Sequence, residues 1–153
     1  MIDISKITKK VKSFFEQEDV PSIVQDGERY HVFGKYMLNK KDQSVELYKD
    51  GHYVGTVSSS AIAMSWCMFD VKHDWKNSYS LLKNDEKFNR YKFQIENRKQ
   101  ILKNVKDYND REWLLIRINE DIERMREVKR NLDKTIKLTK YIKIKGFNDN
   151  EPK

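Results

Sequence analysis

Between Thr56 and Lys145 the chain holds neither glycine nor proline. These residues are the strongest punctuators of local structure, so their absence forbids turns of the glycine or proline kind across most of the molecule. Pro21, Gly27, Gly34, Gly51 and Gly55 precede the window and Gly146 follows it, which divides the chain into a turn-rich front and a helical back. Cysteine is nearly absent too. Cys67 stands alone, so no intramolecular disulfide can form and a reducing compartment fits. No apolar run approaches the ~18 residues that a membrane helix needs. The start, Met1 to Lys6, lacks the charged, apolar and small-residue sections of a secretory signal. The expectation is a soluble protein kept inside a cell, with no membrane partner.

Catalytic patterns are also missing. There is no phosphate-cradling glycine loop, dinucleotide fingerprint, nucleophile elbow or zinc-binding histidine pair. His31 and His52 fall in the stretch read below as a meander, where a cross-strand pairing is open to them, but no cysteine or carboxylate spacing completes a metal site around them. Asp70, His73 and Asp74 form a string that one helix would place on a single face. A solvated helix end explains it better than a ligand set. Cys67 lies among Trp66, Met68 and Phe69, a setting that raises a thiol pKa and makes it inert. The reading is not an enzyme, with no cofactor and no metal.

What the chain does have is charge and helical periodicity. Its 153 residues carry 31 Lys and Arg against 24 Asp and Glu, a formal net charge of +7. Charged residues make up 36% and hydrophobic ones 38%, which suits a thin core under much solvated helix surface. Three Trp, eight Tyr and seven Phe argue against disorder. The positive excess is concentrated: Lys129, Arg130, Lys134, Lys137, Lys140, Lys143 and Lys145 face only Asp133 in that stretch.

Ile4, Ile7, Val11 and Phe14/Phe15 recur at three and four residues and predict a short amphipathic helix over about Ser5 to Gln17, with Lys6, Lys9, Lys10 and Lys12 on its other face. Pro21 closes it. From Ser22 to Val57 the period becomes two. Asp26-Gly27 and Asp50-Gly51 are turn dipeptides, and Gly34 inside Tyr30–Leu38 suggests a bulge. The expectation is a meander of three or four strands. Ser58-Ser59-Ser60 offers N-cap hydroxyls for a helix from Ser59 to about Trp75 that is apolar almost all round and must be buried. A polar joint follows near Lys76-Asn77-Ser78. Beyond it, Phe88, Ile95 and Leu102 interleave with Tyr91, Arg98 and Val105 in a heptad-like seam. Asp107 to Asp110 breaks the pattern, with Asp110 expected as a cap. A last helix then runs to about Ile144, striped by Leu115, Ile118, Ile122, Met125, Leu132 and Ile136, with Gly146 at its end.

The predicted fold is therefore α+β: a short N-terminal helix, an antiparallel β-meander covered by an apolar helix, and a long C-terminal antiparallel helical hairpin. Residues 1–77 form the α+β domain, 78–146 the hairpin and 147–153 a polar tail. The hairpin, with about three heptads per arm, is marginal as a free-standing two-helix unit, so it must gain burial from the meander, from a second copy, or from another protein. Leu115, Ile118, Ile122 and Met125 are the candidate partner interface, and self-association or a protein partner is the leading reading. The alternative partner is nucleic acid, held by Arg130, Lys134, Lys137 and Lys140. In the meander Tyr30, Phe33, Tyr36, Tyr48 and Tyr53 interleave with Arg29, Lys35, Lys40, Lys41 and Lys49, a pattern that suits single-stranded nucleic acid but at period two is more simply one face of a half-buried sheet.

Two stretches, Tyr30–Lys41 and Ala61–Asp70, resemble segments of small uncharacterised proteins of marine tailed bacteriophages. Those proteins place a short sheet, a Trp-Cys-containing helix and a charged hairpin in the same order. The resemblance implies a phage setting, in the virion or in the host cytoplasm, as a virion component, an assembly factor or a host-takeover factor. It carries over no functional residues.

Overall fold

The computed structural model describes residues 23–144. The predicted helix over Ser5 to Gln17 and the capping glycine Gly146 lie outside the described residues. Within them the α+β expectation holds. Five strands, β1 (Ile23–Asp26), β2 (Arg29–Val32), β3 (Tyr36–Lys40), β4 (Val45–Lys49) and β5 (His52–Val57), pair antiparallel in sequence order. Three helices follow: α1 (Ser60–Val71), α2 (Trp75–Asn104) and α3 (Tyr108–Lys137), the last ending in a 3₁₀ turn at Leu138–Tyr141.

The sheet has five strands because Gly34 makes a turn, where the sequence suggested a bulge. Phe33 (φ 50°) and Gly34 (φ 78°) both take left-handed backbone between Val32 and Tyr36, which pair across the loop. The bulge sits elsewhere. Leu47 pairs with Gly55 but Tyr48 with Tyr53, leaving Val54 as the extra residue in β5. Asp50 (φ 50°) and Gly51 (φ 81°) close the β4–β5 hairpin at Lys49–His52, as their dipeptide signalled.

Alternation then sorts the side chains. Val32, Tyr36, Leu38, Val45, Leu47 and Val57 are buried on one face. Across the other runs the row Val24, His31, Met37, Tyr48 and Tyr53. His31 and His52 are thus not neighbours: His31 pairs with Val24 and Met37, and His52 pairs with Lys49.

Helix α1 lies between the buried sheet face and the base of the α2–α3 hairpin, which explains its apolar circumference. Ile62, Ala63, Trp66, Cys67, Met68 and Phe69 are buried in one cluster with the strand residues and with Leu81, Val128, Leu132 and Ile144. The Ser59 hydroxyl accepts from the Ile62 amide (3.2 Å), fixing the helix start. Ser58 bonds away from the helix instead. Its amide and hydroxyl donate to Asp85 of α2 at 3.2 and 2.5 Å, clamping the strand exit to the hairpin. Burial raises the Asp85 carboxyl pKa despite these bonds.

Three expected boundaries move, each for a capping reason. The α1–α2 joint lies at Lys72–Asp74 and not at Lys76–Ser78, because His73 adopts φ 60° and Asp74 caps α2 by accepting from the Asn77 amide (3.2 Å). Asp107, not Asp110, caps α3 and accepts from the Asp110 amide (3.1 Å). Helix α3 stops at Lys137, short of Ile144. There Thr135 and Thr139 donate their hydroxyls to the Asn131 and Ile136 carbonyls, the helix tightens to 3₁₀, and the chain returns Ile144 to the core.

Candidate interaction surfaces

A buried polar group lies at the end of α1. Asp70, 6% exposed, accepts from the Tyr36 hydroxyl at 2.5 Å and from Lys49 Nζ at 2.8 Å. Burial, and then the adjacent Asp70 carboxylate, push the Tyr36 phenol well above its usual range. Lys49 also sits 5.1 Å over the Trp75 ring, on which His73 stacks at 5.2 Å. Tyr36 donates its hydroxyl proton and Lys49 one of its three ammonium protons to Asp70, so the trio ties sheet to helix. The expected single face of Asp70, His73 and Asp74 does not exist: Asp70 turns to the sheet, His73 leaves the helix, and Asp74 caps the next one. No set of three or more metal-ligating side chains occurs among the described residues, and no described helix is long and apolar enough to cross a membrane.

The hairpin seam keeps Ile118 and Leu132 of the stripe read in the sequence but takes Leu114 and Asp121 as its buried positions where Leu115 and Ile122 were expected. Leu114, Ile118, Asp121, Val128 and Leu132 are its buried positions on α3. Asp121 pairs with Arg98 of α2 inside the seam. An apolar pattern cannot register that charge, but Arg98 at a heptad position was its visible counterpart. The four candidate interface residues are consequently divided. Ile118 is closed inside the hairpin, Ile122 and Met125 are half-buried, and only Leu115 is exposed.

From Ile95 of α2 onward the hairpin leaves the core. Ile95, Leu114 and Ile118 are buried there but belong to no cluster with the sheet. From Ile95 to the end of α2 this arm extends ~14 Å at 1.5 Å per residue. Its end is tied to the start of α3, because Arg111 donates to the Leu102 and Val105 carbonyls at 3.0 and 2.9 Å and so satisfies two carbonyls at the α2 C-terminus. Around that end Ile101 (45%), Tyr108 (72%), Trp113 (53%), Leu115 (40%) and Ile116 (55%) are exposed. Trp113 and Ile116, which hydropathy patterning does not single out, are the side chains of this patch that lie three apart on α3.

Charge is arranged differently along α3. Arg117, Arg124 and Arg126 pair with Glu120 or Glu123 within a turn. Arg130, Lys134 and Lys137 are exposed, share the helix face opposite the seam, and have no carboxylate partner among the described residues. Lys140 stands apart in the 3₁₀ turn, its Nζ 5.0 Å over the Tyr141 ring. The aromatic platform of the meander is dispersed, with Tyr36 and Phe33 buried on one face and Tyr48 and Tyr53 packed edge-on (5.6 Å) on the other.

Comparison with protein-family models, curated proteins and solved structures gives no match for this chain.

Proposed function

We propose that this chain is a non-enzymatic interaction protein that presents the free arm of its hairpin to a protein surface, a second copy included. The observation supporting this is the arm itself. It buries three apolar side chains, Ile95, Leu114 and Ile118, yet exposes five large ones around a capped end. Exposed aromatic and aliphatic groups on a rigid element are the usual anchors of a protein contact. The bacteriophage resemblance supplies the setting of the proposal, a virion component or an assembly factor.

Sedimentation velocity of the full chain, wild type against Trp113→Asp with Ile116→Asp, tests it. Both side chains are exposed, so stability should change by only ~0.5 kcal/mol. Association should be lost, since a buried aromatic anchor is worth ~2 kcal/mol or more. A chain that is monomeric at every concentration, and that retains the same proteins from a host extract with or without the substitutions, would refute the reading.

A second reading rests on the unpaired cations. Arg130, Lys134 and Lys137 form a charged strip suited to a phosphate backbone. DNA or RNA binding should then weaken steeply with salt, in proportion to the phosphates neutralised. Replacing all three with Glu should abolish it. Failure of the wild type to bind any nucleic acid at low salt would remove this alternative.

A further inference from the structure

We propose that the hairpin's partner is a second copy of this chain, with α2 of one copy packed antiparallel against α3 of the other in a register set by charge. The inference rests on the reading of the hairpin as a contact surface and names what it contacts. On α2, Lys83, Glu86, Lys87 and Arg90 follow one another at spacings of three, one and three. With Tyr79 and Leu82 they line an open depression of about 390 Å³. None of these four charges has an ion-pair partner among the described residues. Lys83 instead lies 5.6 Å over the Tyr79 ring. On α3, Glu120, Glu123, Arg124 and Glu127 repeat the same spacings. Glu127 is likewise unpaired among the described residues, and the others make only exposed contacts within their own helix, which contribute little. Neither series supplies a buried seam position: Lys87 and Glu120 are half-buried and the other six are exposed.

The spacing is palindromic, so it fits in either direction and the signs decide. Antiparallel, Lys83 stands level with Glu127 of the second copy, Glu86 with Arg124, Lys87 with Glu123 and Arg90 with Glu120. Every one of these pairs is attractive. Parallel, Glu86 would face Glu123 and Lys87 would face Arg124, and like charges set against each other across an interface are costly. Toward the hairpin tip the same register sets Phe93, 72% exposed, level with Arg117 and next to Ile116, and brings Trp113 within a turn of Ile101. Exposed apolar groups thus supply anchors where the charges end. Within one chain α2 and α3 are themselves antiparallel, joined by Arg98 to Asp121 and by Arg111 to Leu102. Helix α3 of the first copy therefore meets α2 of the second in the same register. Each contact occurs twice about a two-fold axis, and the dimer closes on itself.

Charge reversal in the full chain, followed by sedimentation velocity, tests the pairing. Lys83→Glu with Lys87→Glu and Arg90→Glu sets like charge against α3 of the second copy. Glu120→Lys with Glu123→Lys and Glu127→Lys does the same against α2. Each triple variant should keep the circular dichroism of the wild type and dimerise about a hundredfold more weakly. Mixed in equal amounts, the two should form a heterodimer of near wild-type affinity, because every reversed pair is again opposite in sign. Damage to folding cannot produce that recovery. A wild type that is monomeric at every concentration, reversed variants that dimerise as tightly as wild type, or a mixture that stays monomeric would overturn the pairing. The proposed function fails separately. If the reversals have no effect while Trp113→Asp with Ile116→Asp still abolishes association, the register is overturned and the contact surface stands.

Discussion

Cys67→Asp is expected to abolish folding of the sheet–helix core. Cys67 is fully buried on α1, between Trp66 and Met68 and one turn before Asp70. Burial first, and then the charge of Asp70, push its thiol pKa far up, so the site already resists one small anion. A carboxylate there would be an unpaired charge without water and beside a like charge, a cost of several kcal/mol. That is comparable to the whole stability of an ordinary domain, about 5–15 kcal/mol. Cys67→Ala removes only a small apolar side chain and should cost about 1 kcal/mol. Urea unfolding followed by circular dichroism separates the two. A cooperative, native-like transition in the Asp variant, or rapid labelling of the wild-type thiol, would show that α1 is not enclosed as described.

Asp70→Ala should be the most damaging truncation in the polar part of the core. It would leave the Tyr36 hydroxyl, on a residue only 2% exposed, and the Lys49 ammonium without their shared acceptor. Breaking a buried charged pair from one side costs about 3–5 kcal/mol. The lower figure applies, because the Lys49 side chain is 31% exposed and its ammonium can turn to water. Tyr36→Phe leaves the Lys49 contact in place and should cost about 1–2 kcal/mol. The double substitution should cost less than the sum of the singles, since both remove the same hydrogen bond. A double-mutant cycle in urea measures this. An Asp70→Ala variant within about 1 kcal/mol of wild type would mean that the group does not tie sheet to helix.

The arm and the strip of cations were legible to different degrees. Arg130, Lys134 and Lys137 share an exposed face because three- and four-residue spacing dictates it on any helix, and no tertiary contact intervenes. The apolar stripe did not transfer so simply. Leu115 and Ile122 look like seam residues by hydropathy, yet the seam passes through Leu114 and Asp121 because Arg98 on the facing helix supplies the opposite charge. Charge complementarity across a seam depends on the register of two helices, which neither helix encodes alone. Trp113 and Ile116 escape a sequence pattern for a different reason. Their exposure follows from where the core ends and not from their own sequence neighbourhood.

By itself the sequence determined the division at Thr56, the Asp50-Gly51 hairpin, the enclosure of α1 and the two long helices. Each rests on a local rule: backbone freedom at glycine, periodicity of apolar groups, or the number of sides a helix must bury. Only the tertiary structure decided the other features. It made Gly34 a turn that adds a strand, set Asp74 and Asp107 as the caps, seated Asp70 between Tyr36 and Lys49, and carried the hairpin beyond its core. These features depend on partners distant in the chain, on competition between neighbouring capping residues, or on the reach of a packed surface. Local periodicity contains none of that information.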